Sequence, residues 1–248
     1  MEHTSQAVLN RTSVALGNTD LLFGFRDSAT GLRMEFHLPV HRFDLWQGYV
    51  EGVTRIYRTY GAESALRIPA VSPESPTPIF AVALDEDDTV VGGWYVNGPL
   101  TAVTEAYAPS EFAADPVYAT LIAEWISHVI PDGAIELKAG WVDANNPARS
   151  QIANAIGRSV SHALRELNAT YAFATAAEHA TRRWARSGAR PLPGIGPTPY
   201  PDERYLTHFY YWHAASTVIR SDTEQQELFR HDIVSSLSAV MDSPELRP

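Results

Sequence analysis

Three consecutive runs decide how this chain folds: AIELKAGWV at residues 134–142, PARSQIANAIGRSVSHALRELN at 147–168 and TYAFATA at 170–176. The first and third are apolar, β-prone and the length of strands. The middle run sets Ile152, Ile156, Val160, Leu164 and Leu167 along one helical stripe. Strand, helix and strand in that order predict α/β architecture. A second helix is expected over Glu178–Ser187, ended by Gly188.

Towards the amino terminus the pattern turns antiparallel. Ile79–Leu84 and Thr89–Asn97 flank the acidic turn Asp85-Glu86-Asp87-Asp88, which predicts a hairpin. Leu21–Phe25 and Leu32–Leu38 predict another, with Met34, Phe36 and Leu38 alternating against Arg33, Glu35 and His37. Leu45, Tyr49, Val53, Ile56, Tyr57 and Tyr60 recur at helical spacing and end near Gly61. Four prolines make Pro69–Pro78 a loop, and Thr101–Pro116 reads as irregular or lightly helical. Val117–Ile130 is a helix burying Leu121, Ile122, Trp125, Ile126 and Val129. After the proline- and glycine-rich loop Pro191–Pro201, Tyr205–His213 is a last strand and Thr223–Met241 a terminal amphipathic helix.

Composition narrows the function classes. With no cysteine among 248 residues, disulfides, thiolate metal sites and cysteine nucleophiles are excluded. A net charge of −10 argues against broad nucleic-acid binding. The first ten residues lack the basic start and apolar run of a signal peptide, and no window reads as a membrane span, so a cytoplasmic protein is expected. Neither His37 with His41 nor His208 with His213 has a third ligand nearby, so no metal is expected. There is no G-x-S-x-G elbow. Lys138 is the sole lysine; every other cationic side chain is an arginine, a bias that bidentate anion recognition and a GC-rich genome both produce.

The hairpin FAVALDEDDTVVGGWYVNGPL, residues 80–100, resembles the second hairpin of GNAT folds, and its wording is closest to acyl-homoserine-lactone synthases and N-acyl amino acid synthases. Those families carry a later ELSRFAVDP-like strand. Its counterpart here is Glu136 to Ala144, in which Glu136, Leu137, Val142 and Asp143 match and Lys138-Ala139 replaces Ser-Arg. ATYAFATAAEHATRRWARSGARPL, residues 169–192, resembles the family's next strand and helix. The resemblance implies one GNAT-like domain with a mixed central sheet flanked by helices. Residues 1–44 would form a hairpin extension of that fold, 45–213 the acyltransferase core and 214–248 a helical tail.

The resemblance further implies an N-acyltransferase. Its donor would be acyl-CoA or acyl-phosphopantetheine on an acyl carrier protein, and its acceptor the amine of a small molecule or amino acid. Backbone N–H groups near Trp141 and Val142 would meet the donor arm, and Asp143, Arg149, Ser150, Gln151, Ile152 and Ala153 its phosphate end. The chain departs from the family in two places. Arg149-Ser150-Gln151-Ile152-Ala153-Asn154 has no glycine where a Q/R-x-x-G-x-G/A loop wraps a pyrophosphate, and Trp184 replaces a tyrosine proposed as general acid. A catalytically inactive GNAT-like protein that binds a carrier or partner is therefore the alternative.

Among the residues themselves, Glu136 is the candidate general base, because burial in an apolar strand raises a carboxylate's pKa. The competing reading is a Glu136–Lys138 pair on a solvated face. Strand alternation sets Glu136, Lys138 and Gly140 on one face and Leu137, Ala139 and Trp141 on the other. Arg182, Arg186 and Arg190 would form a basic stripe if their helix continues, and His179 is a second candidate base. Trp94, Tyr95 and Trp141 are either core or the lining of an acyl tunnel.

Overall fold

The computed structural model describes residues 21–71 and 79–241. The first twenty residues, most of the proline-rich loop and residues 242–248 lie outside the described residues. In chain order come strand β1 (Leu21–Arg26), β2 (Arg33–His37), helix α1 (Phe43–Thr59), β3 (Phe80–Leu84) and β4 (Val90–Asn97). Helices α2 (Ala108–Glu111) and α3 (Pro116–Val129) precede β5 (Ala134–Val142), α4 (Arg149–Glu166) and β6 (Tyr171–Ala177). Then follow α5 (Thr181–Arg186), the short strands β7 (Arg190–Pro191) and β8 (Thr198–Pro199), β9 (Leu206–His213), α6 (Thr217–Arg220) and α7 (Thr223–Met241).

Nine strands form one sheet among the described residues, in the order β1-β2-β3-β4-β5-β6-β9-β7, with β8 also on β9. Only β5 and β6 pair in parallel; the other recorded pairs are antiparallel. This is the mixed α/β sheet that the alternation of strands and helices predicts, and the amino-terminal hairpin extends it through β2 on β3. On one face α4 lays Ile152, Ile156, Val160 and Leu164 against Trp94, Ile135 and Leu137. On the other, α1 covers Phe80, Val82, Tyr95 and Trp141, while α2 and α3 cover Ala134, Phe173 and Phe209. Each fully buried Phe or Leu contributes about 1.5–3 kcal/mol, so these stripes hold the three layers together.

Several local expectations change. Asp115 caps α3 by accepting from the N–H groups of Val117 (3.0 Å) and Tyr118 (3.1 Å), and Leu121, expected on the buried face, is 42% exposed. Tyr60, expected on the apolar stripe, lies just past the end of α1 and is exposed. His37 faces inwards, not outwards, packing on Phe80 and bonding Glu35 at 2.9 Å. The basic stripe does not form. Helix α5 stops at Arg186, whose guanidinium pairs with Asp222 and Glu224, and Arg190 belongs to β7.

Candidate active site

The register of β5 shows where the sheet opens. Its parallel partners on β6 run only from Ala134↔Tyr171 to Glu136↔Phe173. β6 is paired with β9 along its whole length, from Tyr171 to Ala177, and beyond Phe173 it has β9 alone while β5 has β4 alone. The two strands therefore form a V whose closed end is Glu136–Phe173 and whose arms end at Val142 and Ala177.

A bulge sits on the free arm. Between Tyr95↔Lys138 and Gly93↔Trp141, residues Ala139 and Gly140 together oppose Trp94. Ala139 takes a φ of 52°, and its carbonyl accepts a 2.8 Å bond from the buried Tyr49 hydroxyl. The extra residue resets the alternation. Trp141 joins Glu136 and Lys138 on the α1 side and parts from Leu137, contrary to simple strand periodicity. Its indole lies under Gly52 of α1, where a Cβ would stand 2.0 Å from the ring. Trp141 can meet a ligand in the V only through its backbone. Gly140 is exposed between the half-buried Ala139 and the buried Trp141, and a Cβ there would meet nothing within 4 Å.

Four side chains gather beside this opening. Glu136 is fully buried, and its carboxylate accepts from the N–H of Ala108 (2.9 Å), the N–H of Tyr107 (2.9 Å) and Asn97 Nδ2 (3.0 Å). These bonds fix the start of α2, which carries Glu111 over the V. Glu111 binds the Lys138 ammonium and accepts from the Thr175 hydroxyl, so β5, α2 and β6 meet at one carboxylate. Lys138 Nζ is also 3.5 Å from Thr175 Oγ1, 3.9 Å from Glu136 and 5.6 Å from the Tyr107 ring. Lys138 and Glu136 are buried, so the solvated-pair reading does not hold.

Burial pushes the Glu136 carboxyl above the ordinary carboxylate range, with Lys138 partly offsetting it. Burial also opposes charge on Lys138, but Glu111 and Glu136 outweigh it and hold the ammonium above the usual lysine range. Desolvation pushes the Tyr57 hydroxyl up to about 12, so near neutrality it is a donor. The site thus holds two carboxylates, one ammonium and a hydroxyl beside a break in the sheet.

At the wide end of the V, Asp143 builds the turn: its N–H donates to Val91 (2.8 Å) and its Oδ1 accepts from the Asn145 N–H (3.1 Å). Helix α4 then begins without a side-chain cap, and the Ser150 and Gln151 amides have no backbone partner among the described residues. Arg149, Ser150 and Gln151 are exposed there, with the Arg149 guanidinium 3.1 Å from the Ala144 carbonyl. Uncapped amides and a cation at a helix start suit an anion. Ile152 and Ala153, expected beside the phosphate, are buried instead, since they begin the apolar stripe of α4.

No protein-family model matches the chain. Over 181 residues it is 33% identical to uncharacterized proteins of Mycobacterium tuberculosis and Mycobacterium bovis, a match covering 73% of this chain and 68% of each relative. The chain belongs to the family of these mycobacterial proteins. Among solved structures it is similar to FeeM, an N-acyl amino acid synthase from uncultured soil microbes. The TM-score is 0.53 at 12% identity, over 79% of this chain and 98% of that one. It is also similar to BjaI, a CoA-dependent acyl-homoserine lactone synthase, with a TM-score of 0.50 at 12% identity over 80% and 88% of the two chains. The fold is thus the GNAT-like fold that the hairpin and the strand at Glu136 resemble.

In this chain, sequence reasoning missed Glu111, Thr175 and Asn97. Glu111 is 27 positions from Lys138, and Thr175 is 64 from Glu111. A lone glutamate in an irregular segment carries no periodic signal. Trp184 packs edge-on against Trp212 at 5.2 Å, below the V, where an aromatic ring serves the core. His179 lies exposed in the turn after β6, away from the cluster bonds. Trp94 and Tyr95 are core: Trp94 Nε1 donates 2.9 Å to Ser159, and the Tyr95 hydroxyl donates 2.5 Å to the Arg67 carbonyl. Among the described residues no helix is long and apolar enough to cross a membrane, and no group of His, Cys, Asp or Glu is arranged to hold a metal.

Proposed function

We propose that this protein is an N-acyltransferase that moves an acyl group from a phosphopantetheine thioester, on coenzyme A or an acyl carrier protein, to a small amine. The donor's phosphate end lies at Arg149, Ser150 and Gln151. Its arm runs inwards beside Asp143, Val142 and Trp141 and bonds the unpaired backbone of β5. The thioester then stops at the bulge, next to Glu111, Lys138 and Thr175. The amine nitrogen attacks the thioester carbonyl, the carbon–sulfur bond breaks, and the amine's proton passes through a carboxylate to the departing thiolate. Amide and thiol are the products.

Glu136 was the first candidate for that carboxylate, and its raised pKa suits a base. Its three N–H bonds, however, already occupy it as the anchor of α2. Proton acceptance falls better to Glu111, reached from the V through the half-buried Thr175 hydroxyl. Two carboxylates against one ammonium leave a negative balance, which favours an acceptor that arrives as an ammonium ion and releases one proton to solvent before its nitrogen attacks. The observation that carries this reading is the solvent-reached break at Ala139–Gly140 beside the buried Glu111–Lys138 pair and the half-buried Thr175.

The test is thiol release from acyl-coenzyme A and from acyl carrier protein with a panel of amines. The chain has no cysteine, so it adds no thiol background. Gly140→Leu adds bulk at the opening, at a position where a Cβ has no neighbour within 4 Å; it should leave stability within about 1 kcal/mol and weaken donor binding at least about tenfold. Donor binding without release would support the inactive-carrier-binder alternative, which the missing glycines of the phosphate loop favour. Neither binding nor release would remove both readings.

A further inference from the structure

The closed end of the V bears on which acyl groups fit, and this inference rests on the acyltransferase reading above. Solvent reaches the V at Gly140 and, partly, at Ala139 and Thr175, and stops there. The next residues inwards are sealed: Leu137 is 4% exposed and Ala174 3%, while Ile135, Glu136, Ala172 and Phe173 are all at 0%. A residue with no accessible surface borders no void that holds even a water molecule. The sheet plane is closed as well, because Glu136 and Phe173 are paired.

Both faces beyond that pair are filled. On the α4 side Ile156, Val160 and Trp212 pack onto Leu137 and Ala174. On the α2–α3 side the Phe173 ring stacks on Phe209 at 5.5 Å, and Trp125 meets both edge-on at 6.0 and 5.5 Å. Phe112, also at 0% exposure, packs in the same cluster just past Glu111. Lys138 and Thr175 stand two residues short of the sealed Glu136–Phe173 pair, about 7 Å at strand rise, so one or two carbons beyond the carbonyl fit that depth while a fatty acyl chain would have to displace close-packed aromatic rings.

We infer that the donor carries a short acyl group, of acetyl or propionyl size, and that Phe112 and Phe173 are the residues that set this limit. The test uses the full chain with acetyl- and octanoyl-coenzyme A, and the same two acyl groups on acyl carrier protein. Donor affinity is measured by calorimetry, and turnover by thiol release with the amine panel.

The acetyl donor should be preferred over the octanoyl donor by at least about tenfold. Phe112→Val and Phe173→Leu, each of which opens space at the closed end, should narrow that ratio severalfold. Equal or better use of the octanoyl donor by the unaltered protein would overturn the inference while upholding the acyltransferase. An unchanged ratio in both folded variants would remove these two phenylalanines as its cause. Binding of no donor of either length would overturn the acyltransferase reading and this inference together. If a variant fails to fold, the ratio in the unaltered protein still decides.

Discussion

Two buried charge clusters in this protein use similar chemistry to different ends. One surrounds Arg158 of α4. Its guanidinium donates to Asp27 (2.5 Å), to Asp232 of α7 (2.6 and 3.2 Å) and to Gln225 (2.9 Å). His162 adds a 3.0 Å contact to Asp232 and stacks between Phe23 and Phe229. This cluster ties the end of β1 and the terminal helix to the middle helix, sealed on every side. The other surrounds Lys138, a single point charge shared by Glu111 and Glu136 where β5 and β6 part. Arginine's fork fixes several partners in one geometry, which suits a staple. A lysine beside unpaired backbone keeps its partners close to solvent and to a ligand. What separates a staple from a site is the state of the neighbouring strands.

Experiments that break each cluster sharpen the contrast. The largest effect is expected from Arg158→Leu, which strands two buried aspartates and should cost about 3–5 kcal/mol in urea unfolding. Donor binding by the remaining folded fraction should be intact; loss of binding at equal stability would join the two clusters functionally. Lys138→Met should cost about 3 kcal/mol at pH 8 and abolish thiol release. Without the ammonium to offset burial, the Glu136 carboxyl titrates still further above its range in the unfolded chain. The deficit should therefore shrink towards pH 5, and a pH-independent deficit would contradict the pairing.

The sealed cluster should show its own acid limb. Burial lowers His162 from 6.5 to about 4, with Asp232 opposing the shift, so the unfolded chain binds the extra proton first. Stability should fall as pH drops from about 6.5 towards 4, by up to about 3 kcal/mol, and His162→Gln should flatten that limb. The smallest effect is expected from Tyr49→Phe, which removes the donor to the Ala139 carbonyl at a cost of about 1 kcal/mol. Its more telling readout is donor affinity, which should drop if the bulge presents the edge of β5.

Helix α4, the hairpin β3–β4 and the strand at Glu136 were legible in the chain because their hydrophobic periods are long and regular. The burial of Glu136 was not settled there, since a buried base and a solvated Glu136–Lys138 pair both fit the strand until the packing chose between them. Nor was the bulge legible. Ala139 carries no residue-level mark of a left-handed φ, and the phase shift that sends Trp141 under α1 appears only once β4 is paired. The expected arginine stripe failed for the converse reason, since Asp222 and Glu224 reach Arg186 from 36 and 38 positions away.

By itself the sequence determined the order of strands and helices, the α/β class and the exclusion of cysteine chemistry, because these follow from periodicity and composition. The tertiary structure decided where the sheet parts, which face Trp141 takes and which carboxylate meets Lys138. Those outcomes depend on strand register and on contacts between residues far apart in the chain, and local side-chain patterns carry no information about either.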